Sequence, residues 1–215
     1  MRAPNVESTE LIKRLKGEFG SNEPIFTEEI LSIWSEYSRP RVFQLLKELC
    51  TSGKIAKYAL GIYYFPEPSF WGAPLPLDAV KVAEKRYLKA DGKILGYYSG
   101  LTLLNMTGFT NQVPNVREIV TMKETTRVRE IKIGKTRFLI RRAKMNITEE
   151  NVPLFQILEI FDRIDGPLER YQSDNMVSLL NDGRIDAKLL DECAKCFPKR
   201  ALKNLKKTEI GYLVA

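Results

Sequence analysis

Residues 38–66, SRPRVFQLLKELCTSGKIAKYALGIYYFP, change period within a few positions, and that change constrains the chain more than any other feature. Val42, Leu45, Leu46 and Leu49 recur at helical spacing, Ser38 stands where a cap is expected, and Pro40 suits a first turn. Gly53 supplies the stop. Residues 54–58 and 62–65 then read as two strands around a turn that holds Gly61. Upstream, a helix is expected over about 7–16 with Leu11, Ile12 and Leu15 inward, and another from Thr27, as its cap, to Trp34. Residues 35–38 have the length of a turn. Helix, turn, helix and basic hairpin in this order predict a winged helix-turn-helix over residues 1–66.

On a 3.6-residue wheel the apolar face of 38–52 leaves Arg41, Gln44 and Lys47 looking outward, with Arg39 at the leading end. Arginine can make a paired contact to guanine, glutamine to adenine, and lysine a point contact to phosphate. Readers of the major groove use the N-terminal part of such a helix. Lys54, Lys57 and Tyr58 fall on the wing, where they would hold the backbone of double-stranded DNA. The plainer account is that every amphipathic helix has a charged outer face, and most of these meet only water.

A chain of 215 residues with 44% hydrophobic content is long enough for one large or two small domains. No apolar run approaches a membrane span, and MRAPNVESTE lacks the hydrophobic core of a signal peptide, so a cytoplasmic protein with no membrane partner is expected. Three cysteines do not make a disulfide framework. Cys193 and Cys196 form a C-x-x-C pair, yet with no histidine and only Cys50 besides, a four-ligand zinc site of cysteine and histidine cannot be built within one chain. Two cysteines on one face of a helix is the expectation.

The absence of histidine also removes Ser-His and Cys-His nucleophile pairs. Gly134-Lys135-Thr136 resembles the end of a phosphate-binding loop, but position 129, where that loop needs glycine, is arginine. Asp162 and Asp165 in FDRID could hold a magnesium ion, although carboxylates at a helix end are usually solvated. No active site assembles, and the expectation is a non-enzyme with no cofactor and no metal.

The net charge of +7 hides a block structure. Residues 1–65 and 66–116 are each nearly neutral, 117–144 carry ten Lys/Arg against three Asp/Glu, 145–192 four against eleven, and 193–215 six against one. Within the first block, positions 39–57 hold Arg39, Arg41, Lys47, Lys54 and Lys57 against Glu48 alone. A positive face on a balanced domain is the electrostatic footprint of a small DNA reader.

Four prolines in PEPSFWGAPLPL make 67–77 a linker, whose Phe70 and Trp71 are expected to pack against something. A helix follows over about 78–89, closed by Asp91-Gly92, then a shorter one over 99–106. Residues 117–123, 127–133 and 136–142 are rich in β-formers and read as a three-stranded antiparallel meander. Arg127, Arg129, Lys132, Lys135, Arg137, Arg141 and Arg142 make it strongly basic, either as a solvated face or as a second surface for nucleic acid or an acidic partner. Helices follow over about 152–207, the last of them basic with Leu202 and Leu205 inward. The expected class is α+β: the winged domain, then a mixed domain over 78–215 with a small antiparallel sheet and a helical C-terminal region.

GKIAKYALGIYYFPE, residues 53–67, and GYYSGLTLLNMTGFTNQVPNVREIVT, residues 96–121, resemble the AbiEi-type antitoxins of type IV toxin-antitoxin systems. The specific part runs through Tyr98-Ser99-Gly100-Leu101, Asn111-Gln112-Val113-Pro114 and Val120-Thr121. Physically this segment reads as a helix-to-sheet junction in which Ser99 caps, Gly108 stops the helix, and Thr110, Asn111 and Gln112 satisfy turn backbone. The resemblance implies a bacterial transcriptional regulator that represses its own promoter through the N-terminal domain. It also implies that the C-terminal domain counters a nucleotidyltransferase-like toxin, by function rather than through a stable complex. The alternative is a winged-helix module that binds protein and has no specific DNA affinity.

Overall fold

The structure is a computed structural model that describes residues 6–180 and 185–208. The chain divides into two compact units, residues 1–82 and 83–215, each mixing helix with small sheets, which makes it α+β. No described helix is long and apolar enough to cross a membrane.

The first unit runs α1 (Val6–Phe19), β1 (Ile25–Phe26), α2 (Thr27–Ile33), α3 (Arg39–Thr51), β2 (Ala56–Ala59) and β3 (Ile62–Tyr64). The three strands form one antiparallel sheet in the order β1-β3-β2. Leu11 and Leu15 of α1, Ile30 and Trp34 at α2, and Val42, Leu45, Leu46 and Leu49 of α3 share one buried cluster with Ile25 and Ile55. Burial of each such side chain stabilises the unit by roughly 1.5–3 kcal/mol, so the helical spacing of these residues is what holds α3 in place. Strand β1 has no counterpart in the sequence reading, because two residues carry no period.

Two local signals act differently from the expectation. Ser38 sits at the N-cap of α3, but its backbone carbonyl, not its side chain, serves the helix by accepting from Val42 N. Thr27 is the first residue of α2 rather than its cap, and the N–H of Phe26 before it donates to the Glu29 carboxylate at 2.7 Å. At the other end of α3, Gly53 takes φ +70°, its N–H donates to Cys50 O, and Lys54 N donates to Leu49 O. That pair of bonds satisfies the last carbonyls and turns the chain into β2.

The expected linker is part of the first unit. Pro68 bridges Pro74, Leu75 N donates to Glu67 O, and Gly72 N donates to Ser69 O, so the prolines shape a closed loop instead of a tether. Phe70 and Trp71 do not pack on a core, as the sequence suggested. They meet each other edge to face at 5.2 Å and are 94% and 87% exposed.

The boundary between the units falls within α4 (Ala79–Tyr87). The second unit continues with β4 (Lys89–Ala90), β5 (Lys93–Ile94), β6 (Gly96–Tyr98), α5 (Gly100–Met106), β7 (Val116–Thr121), β8 (Val128–Ile133) and β9 (Thr136–Arg142). Helices α6 (Val152–Phe161), α7 (Arg170–Leu179), α8 (Ala187–Ala194) and α9 (Lys199–Lys206) complete it. Asp91-Gly92, read as a helix stop, is the turn between β4 and β5. Seven of the ten residues of α6 are buried, which makes it the central helix over which α7, α8 and α9 close.

The strands of the basic segment form as expected, but the meander does not. The sheet order is β6-β7-β9-β8, with β7 and β9 parallel and β9 inserted between β7 and β8. Gly134-Lys135 does make a hairpin of β8 and β9. The β7–β8 link holds no glycine or proline. It is organised by the buried Glu124 carboxylate, which accepts from Thr125 N and Thr126 N at 3.0 Å, from Thr126 Oγ1 at 2.8 Å, and pairs with Arg129 at 2.8 Å. Strand β9 fills the slot between β7 and β8.

Segment 96–121 is indeed a helix-to-sheet junction. Gly96 has no room for a Cβ, which would lie 2.3 Å from Val120 O and 2.5 Å from Tyr87 O. Gly100 takes φ +59°, and Glu118 from β7 accepts from Leu101 N at 3.1 Å while Glu159 from α6 accepts from Gly100 N at 3.2 Å. Ser99 stands at the cap position without a side-chain cap bond. Thr110 Oγ1 accepts from Gln112 N, while Asn111 and Gln112 themselves are exposed.

Candidate nucleic-acid interface

The outward face of α3 begins at its first residue. Arg39, Gln44 and Lys47 are exposed, and Arg41 is half-buried. No acid occupies the first turn of α3, and Pro40 there removes an N–H that the helix would leave unpaired. The aligned peptide dipoles at this helix end therefore add positive potential to that of the two arginines. Arg39 lies over the Phe43 ring at 5.7 Å, and Gln44 Nε2 donates to Glu48 Oε1 at 3.1 Å.

The hairpin after Gly53 carries Lys54 and Lys57, both exposed. Lys57 opposes Tyr63 and Ala59 opposes Ile62, so Tyr58 is the extra residue of a β-bulge. Tyr58 is half-buried, and burial, with Asp78 and Tyr64 nearby, pushes its hydroxyl above the ordinary tyrosine range. It stays a neutral donor. Leu60, at the turn, is 90% exposed.

A brace missed by sequence reasoning fixes the orientation of α3. Arg14 of α1 donates to Ile33 O at 2.5 Å and pairs with Glu36 in the turn before α3. A backbone N–H, and then Arg14, hold the Glu36 carboxyl below the usual carboxylate range. No local pattern could have revealed it, since the partners lie about twenty positions apart.

The second basic surface does not exist as one face. Side chains alternate along strands, so the register puts Lys132, Arg137 and Arg141 on one face of the sheet and Arg129 on the other. Arg129 pairs with Glu124, Arg137 with Glu130 at 2.7 Å, and Arg141 with Glu118 at 2.8 Å. Lys135 is exposed in the β8–β9 turn, while Arg127 and Arg142 lie at the opposite end of the hairpin. Three of the seven cations of the block are thus held in ion pairs.

Asp162 and Asp165 do not converge on a cation site. They pair with Arg200 at 2.7 Å and Lys207 at 2.9 Å, joining the end of α6 to α9. Among the described residues no group of three or more Cys, Asp or Glu side chains is placed to hold a metal ion. Of the C-x-x-C pair, Cys193 is fully buried on α8, and burial pushes its thiol up to about 11. Cys196 lies past the end of α8 in a turn, so the two do not share a helix face. Neither a family model nor a curated protein matches this sequence.

Proposed function

We propose that the first unit is a winged helix-turn-helix that binds double-stranded DNA, and that the protein is a transcriptional regulator acting on its own promoter. The observation that carries this reading is the charge of one continuous segment. From the start of α3 to the end of β2 it presents Arg39, Arg41, Lys47, Lys54 and Lys57 against Glu48 alone. In this reading α3 enters the major groove, with Arg39, Arg41 and Gln44 at base edges and Lys47 at a phosphate, and Lys54, Lys57 and Tyr58 of the hairpin hold the backbone.

The likeness of residues 53–67 and 96–121 to AbiEi-type antitoxins extends the proposal to a toxin-antitoxin pair. There the second unit opposes a nucleotidyltransferase-like toxin.

Fluorescence anisotropy across a salt series tests it, with a duplex from the gene's upstream region and a scrambled duplex of equal length. Binding to the upstream duplex that persists at salt abolishing scrambled binding supports an autoregulatory reader. Equal weak binding to both defeats it. A second reading, a protein-binding module, is favoured by Phe43, 41% exposed in the middle of the α3 face, and by Leu60 at the hairpin turn. Co-purification of a stable protein partner, with no DNA affinity at moderate salt, would select that reading.

A further inference from the structure

The second unit holds a cavity of about 890 Å³, within the size range of small-molecule sites. One cross-strand row floors it: Tyr97 of β6 opposes Val120 of β7, Val120 lies beside Arg141 of β9, and Arg141 opposes Val128 of β8. Rings continue that floor. Tyr97 stacks on Phe155 of α6 at 5.4 Å with planes 3° apart, and Phe155 meets Phe197 at 6.1 Å.

Five cations line the walls against two carboxylates, Glu159 and Asp162. The carboxylates are already matched, by Arg163 and by Arg200, and Arg141 is matched by Glu118. Arg127, Arg142 and Lys144 have no carboxylate partner among the described residues. Arg142 donates to Thr125 O at 3.2 Å and Lys144 to Cys196 O, both backbone carbonyls. Three cations with unmatched charge, at the mouth of a cavity with an aromatic floor, are complementary to a ligand that is a planar ring at one end and multiply anionic at the other.

We infer that this cavity binds a nucleoside phosphate, its base against the Tyr97, Phe155 and Phe197 floor and its phosphates at Arg127, Arg142 and Lys144. The site is independent of the DNA surface proposed above. It stands whether or not α3 reads DNA.

Isothermal titration of the full chain with ATP, adenosine and tripolyphosphate tests the two halves of the site separately. ATP should bind at least tenfold more tightly than either fragment. Arg127→Ala and Arg142→Ala, both changes of exposed residues, should each weaken ATP about tenfold. Lys132→Ala and Lys135→Ala, on the distant part of the same hairpin, should leave it unchanged. Tripolyphosphate binding as well as ATP would leave only a basic rim, and adenosine binding as well as ATP would remove the role of the cations. Either result overturns the proposal, as does absence of ATP binding at millimolar concentration or equal loss in all four variants.

Discussion

The α3 segment and the β7–β9 sheet are both basic stretches of the folded chain, and they treat their charge differently. From α3 to β2, five cations share the stretch with one carboxylate, and Arg39, Lys47, Lys54 and Lys57 are exposed to solvent. In the sheet, Arg129, Arg137 and Arg141 each close an ion pair with a glutamate of the same unit. The density of Lys and Arg is similar in the two stretches. Partner geometry decides which of them can recruit a polyanion, and the register of a strand is enough to take an arginine out of a surface.

The sharpest way to break this comparison is to unbalance the sheet. Gly96→Ala drives a methyl into two backbone carbonyls and should destabilise the second unit by about 3 kcal/mol or more, read from its unfolding transition in urea. If the DNA surface resides in the first unit, specific affinity should survive in the fraction that remains folded. Next, Glu124→Gln should cost about 1–3 kcal/mol at neutral pH, because it weakens a carboxylate that serves two backbone N–H groups, a hydroxyl and Arg129. Thr126, with Arg129, holds the Glu124 carboxyl below its ordinary range. The stability it contributes is therefore present above the unfolded pKa and lost as pH falls through the lower folded value. The cost of Glu124→Gln should shrink along the same acid limb of a denaturation series.

On the α3 side, Arg41→Ala should lower specific DNA affinity by about 1–3 kcal/mol while scrambled duplex is affected less. Equal loss on both duplexes would remove base reading from Arg41. Lys57→Ala should weaken all sequences alike and flatten the salt slope by about one unit. The smallest effect belongs to Arg137→Ala. Its partner Glu130 is as exposed as Arg137 itself, and breaking such a surface pair should barely move the urea midpoint and should leave DNA binding unchanged. A fall in DNA affinity with Arg137→Ala would return the sheet to the list of nucleic-acid surfaces.

The helices were legible wherever apolar residues recur at helical spacing over three turns, as in Val42, Leu45, Leu46 and Leu49, and wherever glycine ends them, as at Gly53 and Gly108. The hairpin of β8 and β9 was legible from Gly134-Lys135. Strands β1 and β4 to β6 were not, because two or three residues cannot display a period of two. The insertion of β9 between β7 and β8 was hidden for a different reason. Pairing of β7 with β9 joins residues about twenty positions apart, and the link before β8 is organised by one buried glutamate, Glu124, whose hydrogen bonds close only in the folded chain.

At the candidate interface, the sequence placed Arg39, Gln44, Lys47, Lys54 and Lys57 where the structure exposes them. Tyr58, expected on the wing, stands half-buried at the bulge of β2, and the Arg14 brace left no local sign. The cavity in the second unit was illegible because its floor is assembled across four strands and completed by α6 and the turn after α8.

The slot between β7 and β8 also sets an order of events in time. The chain leaves the ribosome from its N-terminus, so β6, β7 and β8 emerge before the strand that joins them. Until residues 136–142 are made, β8 has no neighbour in its sheet, and β7 presents an unpaired edge on the side that β9 will occupy. During synthesis that open edge is where the nascent second unit is most exposed to pairing with another chain, and the arrival of seven residues closes it.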